Sequence, residues 1–444
     1  MEKKQLKYQD SIDFLESLVN IPGPNHSKNE AEIDRSFFIK RIKDFLKLLH
    51  NPEQKIKYIH IAGTSGKSSL TYMLQSILNE ASLKTGAYFS PHTTDIIERI
   101  KVNGQYILPS EFAELVDEIK PELSACAGNS RYGAPSYFEA LVAMAFLYFK
   151  KKKCEYVVME TGCGGTFDAT NVIPRTEVAI ITNIGLDHTH LLGDTKMKIA
   201  RNKAGIIKNN CLFITGEKNR EILKIFKDIC RKKNSRFRQI DFDFRILKNN
   251  LSGTEFEYKN NIYKTKNPGE HQVKNAILAI EAAESIKGKK ISPAIIKKGL
   301  AKAFSPCRLE TIQKNPTIIL DGAHNPDKMK TTADFLKNIK FKKLHLLLGL
   351  AEDKKLYNTL KYVLPLADEI YITRFLSPMR KSKNLKKMRI MAEKLSKKNT
   401  SIKIFIDPWQ ALVEAEKKAG REDIILITGS FFLAGELRKK WLKK

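Results

Sequence analysis

The stretch Tyr58 to Ala81, YIHIAGTSGKSSLTYMLQSILNEA, constrains the fold more than any other part of the chain. It opens with a short apolar run, Tyr58-Ile59-His60-Ile61-Ala62, long enough for one buried strand. The chain then turns at Gly63-Thr64-Ser65-Gly66, after which Leu70, Met73, Leu74, Ile77, Leu78 and Ala81 recur at helical spacing. Strand, glycine turn and a helix beginning with Lys67 and Ser68 is an arrangement in which backbone N–H groups hold phosphate. The usual pattern has a further glycine five residues before the GK glycine, where this chain has Ile61. The loop is therefore a shorter variant, and Gly63 must make the tight turn. An ordinary strand-to-helix turn would need only the glycines; Lys67 and Ser68 directly after Gly66 favour phosphate.

The same strand-then-turn pattern repeats. Thr85 to His92 reads as a second strand stopped by Pro91, with Ser90 at its C-terminal end, where open α/β sheets place ligands. Glu98 to Gly104 predicts a hairpin turning at Asn103-Gly104. Helices are expected over Glu111–Ile119 and Tyr137–Phe149; Glu139, near the start of the latter, either complements the helix dipole or ligates a metal. Glu155–Glu160 is a further buried strand running into Thr161-Gly162-Cys163-Gly164-Gly165, flanked by Glu160 and Asp168. Val178–Thr182 is another, followed by Asn183 to His190. Asp187, His188 and His190 are candidate zinc ligands, but no third His or Cys at a matching spacing supports zinc; magnesium beside nucleotide phosphates prefers oxygen ligands, so one His would be an unusual member of its site. The helix Thr195–Ile207 carries Lys203, which spacing alone reads as an exposed helix lysine.

Upstream, Tyr8–Val19 and Phe37–Leu49 read as helices joined by a loop at Ile21–Asn25, packed beside this sheet. Downstream come a strand at Cys211–Gly216, short strands within 236–265, and a loop from Pro268 that opens an alanine-rich helix ending at Ile286. After Gly299–Cys307 the alternation restarts, with strands at Thr317–Leu320, Leu344–Leu348, Glu369–Thr373, Ile402–Ile406 and Ile424–Thr428. Asp321–Pro326 follows the first of these and Gly429-Ser430 the last. The expectation is an α/β chain: a P-loop parallel-sheet domain over 1–304, then a smaller Rossmann-like α/β domain over 305–444, with a ligand between them.

Composition narrows the partners. The net charge of +29 admits nucleic acid, but the lysines are spread along the chain, mostly on helix surfaces, and aromatic residues do not interleave with them in any recognisable module. A solvated basic surface that recruits anionic substrates is the better reading, with no nucleic acid. There is no run of about 18 apolar residues, so no membrane span is expected. The N-terminus lacks an apolar signal core, and the six cysteines contain no C-x-x-C pair. Reduced thiols in a cytoplasmic protein follow.

Taken together and in order, the motifs resemble the Mur ligase superfamily, and within it folylpolyglutamate synthase/dihydrofolate synthase. They are HIAGTSGKSS (60–69), SPH (90–92), ERIKVNG (98–104), YFE (137–139), ETGCGGTFDATNVI (160–173), ITNIGLDHTHLLGDT (181–195), KAGIIK (203–208), GEHQVKNA (269–276), RLE (308–310), LDGAHNP (320–326) and ITGSFFLAGELR (427–438). The resemblance covers nearly the whole chain. It implies a Mur ligase central-type ATPase domain and ATP-dependent amide formation, in which a carboxylate becomes an acyl phosphate that an amine then attacks. The implied partners are ATP as substrate, L-glutamate, and dihydropteroate or a (tetrahydro)folate, acting on a monomer.

By the same resemblance, Gly63, Thr64, Ser65, Gly66, Lys67, Ser68 and Ser69 surround the phosphates, and Asn275 lies near adenine. Arg308, Asp321 and His324 contact nucleotide from the linker and second domain. Two magnesium ions are implied: Ser90 and Glu139 bind one, and His188 joins the other, supported by Lys203 as a carbamate. Lys67, His188 and Lys203 are the implied catalytic set. Departures are Ser65 and Ser68 in the phosphate loop, Thr166 where the family carries arginine, and Cys163 in place of an apolar residue. Another amino-acid ligase of the superfamily is the alternative. A cell-wall ligase of that superfamily carries a UDP-sugar domain before the loop, and about sixty residues are too few for one. A nucleotide-gated nucleic-acid binder is the competing class.

Overall fold

Strands buried on both faces read as continuous apolar runs, and those runs form the centres of two sheets. In the computed structural model, which describes residues 2–18, 35–286, 288, 290–377 and 380–443, the larger sheet has eight strands. These are β1 (Lys57–Ala62), β2 (Thr85–Tyr88), β3 (Ile100–Val102), β4 (Gln105–Tyr106), β5 (Tyr156–Glu160), β6 (Val178–Ile181), β7 (Leu212–Thr215) and β8 (Arg236–Gln239). Their order is β4-β3-β2-β5-β1-β6-β7-β8. Pairing is parallel from β2 to β8 and antiparallel for β3 and β4. The hairpin turns at Asn103 and Gly104, both at positive φ. Glu98 and Arg99 are not in it; they belong to a 3-10 turn over Ile96–Arg99.

Side-chain alternation on β1 explains the layers. Ile59 and Ile61 pack on the helices Lys67–Glu80 and Glu270–Glu284, through Leu74, Ile77, Ala276 and Ile280. Tyr58 faces the opposite layer, with Phe112, Phe146 and Phe149. Each fully buried aliphatic or aromatic side chain contributes about 1.5–3 kcal/mol. The N-terminal helices, Glu2–Ser17 and Ser36–Leu48, add Leu15, Ile42, Phe45 and Leu46 to that second layer. The expected loop at Ile21–Asn25, and Val19, lie outside the described residues. The helix expected over Glu111–Ile119 runs Pro109–Asn129, straight through Pro121, because Leu123 and Cys126 prolong its buried face.

The short strands expected within 236–265 divide. β8 extends the large sheet, whereas β9 (Arg245–Asn250), β10 (Gly253–Tyr258) and β11 (Asn261–Thr265) form a separate antiparallel sheet. The remaining sheet has the order β12-β13-β17-β14-β15-β16. Its strands are β12 (Glu310–Gln313), β13 (Thr317–Leu320), β14 (Leu344–Leu348), β15 (Glu369–Ile372), β16 (Ser401–Ile404) and β17 (Ile424–Thr428). Only β12, which the sequence reading did not anticipate, runs antiparallel to its neighbour. In each sheet a parallel strand, β1 near the middle of the first and β13 beside the edge strand β12 of the second, leads into a loop and a helix.

Candidate active site

The chain reverses its direction of travel across the large sheet at β1, since β5 lies on one side and β6 on the other. Loops splay apart at such a point, and the crevice they leave is where open α/β sheets bind ligands. The loop Gly63–Gly66 sits there, held from the β6 side. Thr64 N–H donates to the Asn183 carbonyl at 3.1 Å, Ser65 N–H to Asn183 Oδ1 at 2.9 Å, and the Thr182 hydroxyl to the Ser65 carbonyl at 2.6 Å. The packing tolerates glycine alone at the two turning positions. Gly63 and Gly66 have φ of 151° and 86°; a Cβ would overlap the Thr182 hydroxyl at the first and the Asn275 amide at the second. Asn275 is thus pressed on the loop from the helix Glu270–Glu284.

Two lysines converge on one carbonyl. Lys67 Nζ donates to Gly63 O at 3.2 Å, and Lys203 Nζ donates to the same oxygen at 3.0 Å. Lys203 is 4% exposed, which overturns the reading of it as a surface helix lysine. The helix expected over Thr195–Ile207 ends at Lys203 and passes into a 3-10 turn over Ala204–Ile206, and that end is buried under the Gly162–Gly165 turn; a Cβ on Gly165 would strike the Lys203 backbone. Burial, reinforced by the Lys67 charge, lowers the Lys203 amine to about 8.

Glu160, the last residue of β5, closes the other side. Its carboxylate accepts from Ser68 Oγ at 2.8 Å and from Ser90 N–H at 3.2 Å, and burial raises its pKa. It is the acid that adjoins Ser90. Glu139 is not: one of its oxygens takes Arg41 Nε at 2.8 Å, Ser136 N–H at 2.7 Å and Ser136 Oγ at 2.9 Å. Glu139 therefore completes a capping box at its own helix start and a buried ion pair. Those contacts engage the Glu139 carboxylate at its own helix start, whereas Glu160 is the acid bonded to Ser68 and Ser90 beside the loop. The signal for Glu160 was a lone charge ending the buried strand Tyr-Val-Val-Met-Glu.

The second sheet supplies the facing wall. Asp321, at the end of β13, is buried and accepts from Leu309 N–H, Ala323 N–H and the Thr332 hydroxyl, so it organises its loop. His324 Nδ1 lies 2.8 Å from the Gly322 carbonyl and its Nε2 lies 3.2 Å from Lys328 Nζ. Burial, reinforced by the Lys328 and Lys354 charges, drives His324 well below its ordinary pKa. The Arg308 guanidinium lies 4.0 Å over the Phe431 ring. Asp187 joins the walls, accepting from Asn325 Nδ2 at 3.3 Å and pairing with Lys354 at 3.7 Å. Burial opposes ionisation of Asp187, but His188, Lys354, Lys328 and His324 outweigh it and keep the carboxyl below its usual range.

The cleft thus holds an excess of mutually repelling cations. Burial and the charges of Arg308 and Lys67 bring Lys328 down to about 7, and burial, opposed by Asp187, takes His188 to about 4. A site built this way favours a polyanion that restores those charges. Lys328 and Lys354 escaped the sequence reading: the first is one lysine among many on a helix, although Lys354 follows β14 at a strand end. Among the described residues no three His, Cys, Asp or Glu side chains gather as a metal cage. No helix among them is long and apolar enough to cross a membrane, and the six cysteines carry free thiols.

Fold and site together define a P-loop phosphate-binding sheet faced by a second α/β sheet across a cationic cleft. Comparison with known proteins places that class. Residues 61–283 match the Mur ligase middle domain, and residues 307–431 match the Mur ligase, glutamate ligase domain. A dihydrofolate synthase/folylpolyglutamate synthase of Bacillus subtilis is 34% identical over 413 residues, spanning 90% of this chain and 94% of that protein. The folylpolyglutamate synthase of Mycobacterium tuberculosis complexed with ADP superposes with a TM-score of 0.87 at 27% identity, covering 99% of each chain. That of Thermotoga maritima gives 0.82 at 32% identity, covering 99% of this chain and 97% of the other. The chain belongs to the dihydrofolate synthase/folylpolyglutamate synthase family of the Mur ligases.

Proposed function

We propose that this protein joins L-glutamate to the carboxylate of dihydropteroate or a (tetrahydro)folate, consuming ATP and releasing ADP and phosphate, as a cytoplasmic monomer of two domains, 1–304 and 305–444. The observation that carries this is the convergence of Lys67, Lys203, Arg308, Lys328 and Lys354 on one cleft between two strand-end clusters, in a chain of this family. Such a cleft suits a nucleotide triphosphate and two further carboxylates. The acceptor carboxylate oxygen attacks the γ-phosphorus, and the bond to the β,γ-bridging oxygen breaks as ADP leaves. The glutamate nitrogen then attacks the acyl carbon; the bond to phosphate breaks and the amine releases a proton.

Phosphoryl transfer demands positioning and charge neutralisation more than covalent help. Lys67 and the loop Gly63–Ser69 would hold the β- and γ-phosphates, with Asn275 and the Arg308–Phe431 stack beside the nucleoside and Asp321 and His324 shaping the opposite loop. Magnesium fits the donor set: Glu160 and the Ser68 and Ser90 hydroxyls are oxygen donors, and Ser65 Oγ is buried without a partner. Glu160 with Ser90 would hold one ion, and His188 with Lys203 as a carbamate the other. Bound magnesium would supply neutralisation of phosphate charge. Lys203 suits carbamate formation because its buried amine is partly neutral near pH 8, and the neutral amine is the form that reacts with carbon dioxide.

The test is phosphate release from ATP with magnesium, L-glutamate and either dihydropteroate or tetrahydrofolate. Release with one or both acceptors establishes the reaction and sorts the two activities; release with neither refutes it. Lys203→Ala should lose turnover and recover part of it with a short-chain carboxylate, whereas wild-type rates would remove the carbamate from the account. Salt-sensitive binding of DNA or RNA without turnover would favour the nucleic-acid reading instead.

A further inference from the structure

The loop that carries Ser90 is gripped from the second sheet's side. Residues 90–95 leave β2 and run toward the last helix of the chain, Phe431–Trp441. Gly435 of that helix lies so close to Thr93 that a Cβ would overlap the Thr93 carbonyl. Three residues on, the Arg438 guanidinium reaches across. Its Nη1 donates to Thr94 Oγ1 at 3.1 Å and lies 3.9 Å from Glu98 Oε1, while its Nε sits 2.9 Å from both oxygens of Glu310 on β12. Glu98 holds the loop from within, accepting from Thr93 N–H at 2.7 Å and Thr94 N–H at 2.9 Å. Lys439 adds a looser pair with Asp95 at 3.6 Å. At the other end of the loop, Arg99 donates to His92 Nδ1 at 3.0 Å and to Ser90 Oγ at 3.4 Å.

We infer that Arg438 is a positioning residue for the Ser90 loop, through which docking of the second sheet sets the oxygen donors beside Glu160. The inference rests on the reading of Ser90 and Glu160 as the site of one magnesium ion. Arg438 touches no reacting atom. It anchors Thr94 to Glu310, the start of the second sheet, so the Ser90 end of the loop is held at the Arg99 contact and the far end at Arg438. A short loop fixed at both ends has few arrangements left for Ser90. Releasing Arg438 frees one end; groups bonded directly to a metal ligand change affinity about 10- to 100-fold, and for this more distant anchor the lower figure is expected.

The experiment measures binding of Mn2+ to the ADP-bound full-length protein by electron paramagnetic resonance, alongside the magnesium dependence of turnover. Arg438→Ala leaves Glu310 and Glu98 buried without their cation, so Thr94→Val is the companion variant, which removes the acceptor and keeps the Arg438–Glu310 pair. Both are expected to weaken Mn2+ binding about tenfold, to raise the magnesium needed for half-maximal turnover, and to leave kcat at saturating magnesium near wild type. Arg438→Lys should restore part of the affinity. Wild-type Mn2+ binding in folded Thr94→Val and Arg438→Ala overturns the inference. Ser90→Ala separates the underlying reading: if it weakens Mn2+ binding while the other two do not, only the positioning role falls. If Ser90→Ala binds Mn2+ as wild type does, the metal reading falls and takes the inference with it.

Discussion

The two sheets each lead a parallel strand into a loop and a helix, and the two helix starts are finished in opposite ways. The helix Lys67–Glu80 begins behind Gly66, which offers no side chain to its first N–H groups, and carries no acid in its first turn. The helix Pro326–Lys337 begins behind Asn325, whose side chain accepts from Lys328 N–H at 3.0 Å, with Pro326 at its first position and Asp327 in its first turn. An uncapped start keeps the positive end of a helix for an anion; a capped start satisfies it internally. The first sheet therefore offers its backbone to phosphate, whereas the second offers side chains: Lys328 on the capped helix start, Arg308 ahead of β12 and Lys354 after β14. One wall is a fixed cradle and the other an array of charges brought up to it.

The largest effect should fall on the cradle. Lys67→Ala is expected to lower kcat by about 10³-fold or more with little change in melting temperature. A variant that kept wild-type turnover would show that the open helix start needs no lysine. The two acids of the first sheet's neighbourhood come next, because they separate chemistry from architecture. Glu160→Gln should cost about 10²-fold in kcat and leave stability nearly intact. Glu139→Gln breaks the buried pair with Arg41 and should cost about 3 kcal/mol in denaturant unfolding while turnover of the folded fraction persists. Interchanged outcomes would return Glu139 to the metal.

The charged wall should respond more gently. In the free protein Lys328, with its amine at about 7, is largely neutral at pH 8. A bound polyanion favours the ammonium, so ADP binding at pH 8 should take up a fraction of a proton, and affinity should fall as pH rises above 7. Calorimetry in buffers of different ionisation enthalpy reads that uptake, and Lys328→Met should reduce it; unchanged uptake would place the titrating group elsewhere. The smallest effect is the cap itself. Asn325→Ala should destabilise the protein by about 1 kcal/mol and weaken nucleotide binding modestly through the lost Asp187 contact. A drop in kcat like that of Lys67→Ala would erase the contrast between the two helix starts.

The strands of both sheets were legible because burial on two faces writes an apolar run directly into sequence, as at Ile59–Ala62 and Ile424–Thr428. The phosphate loop was legible for a different reason: Gly63 and Gly66 are demanded by positive φ and by contact with Thr182 and Asn275. The burial of Lys203 was not legible, and only the resemblance singled the residue out. Its burial arises from the Gly162–Gly165 turn packing on it, a contact between segments far apart in sequence. The capping box and ion pair of Glu139 were not legible, because an acid three residues after Ser136 carries the same sequence pattern whether it caps a helix or ligates a metal. Its Arg41 partner lies far upstream. β12 escaped notice because its strand, Glu-Thr-Ile-Gln, is half-buried and short.

The most direct test of the account follows one oxygen atom. With the acceptor's reacting carboxylate labelled with oxygen-18, ligation of L-glutamate through an acyl phosphate must deliver one labelled oxygen to the phosphate released from ATP. Mass spectrometry of that phosphate should show a single label per turnover, with ADP as the other product. Phosphate free of label would mean that the acceptor carboxylate never attacked the γ-phosphorus, and would contradict the role assigned to the loop Gly63–Ser69.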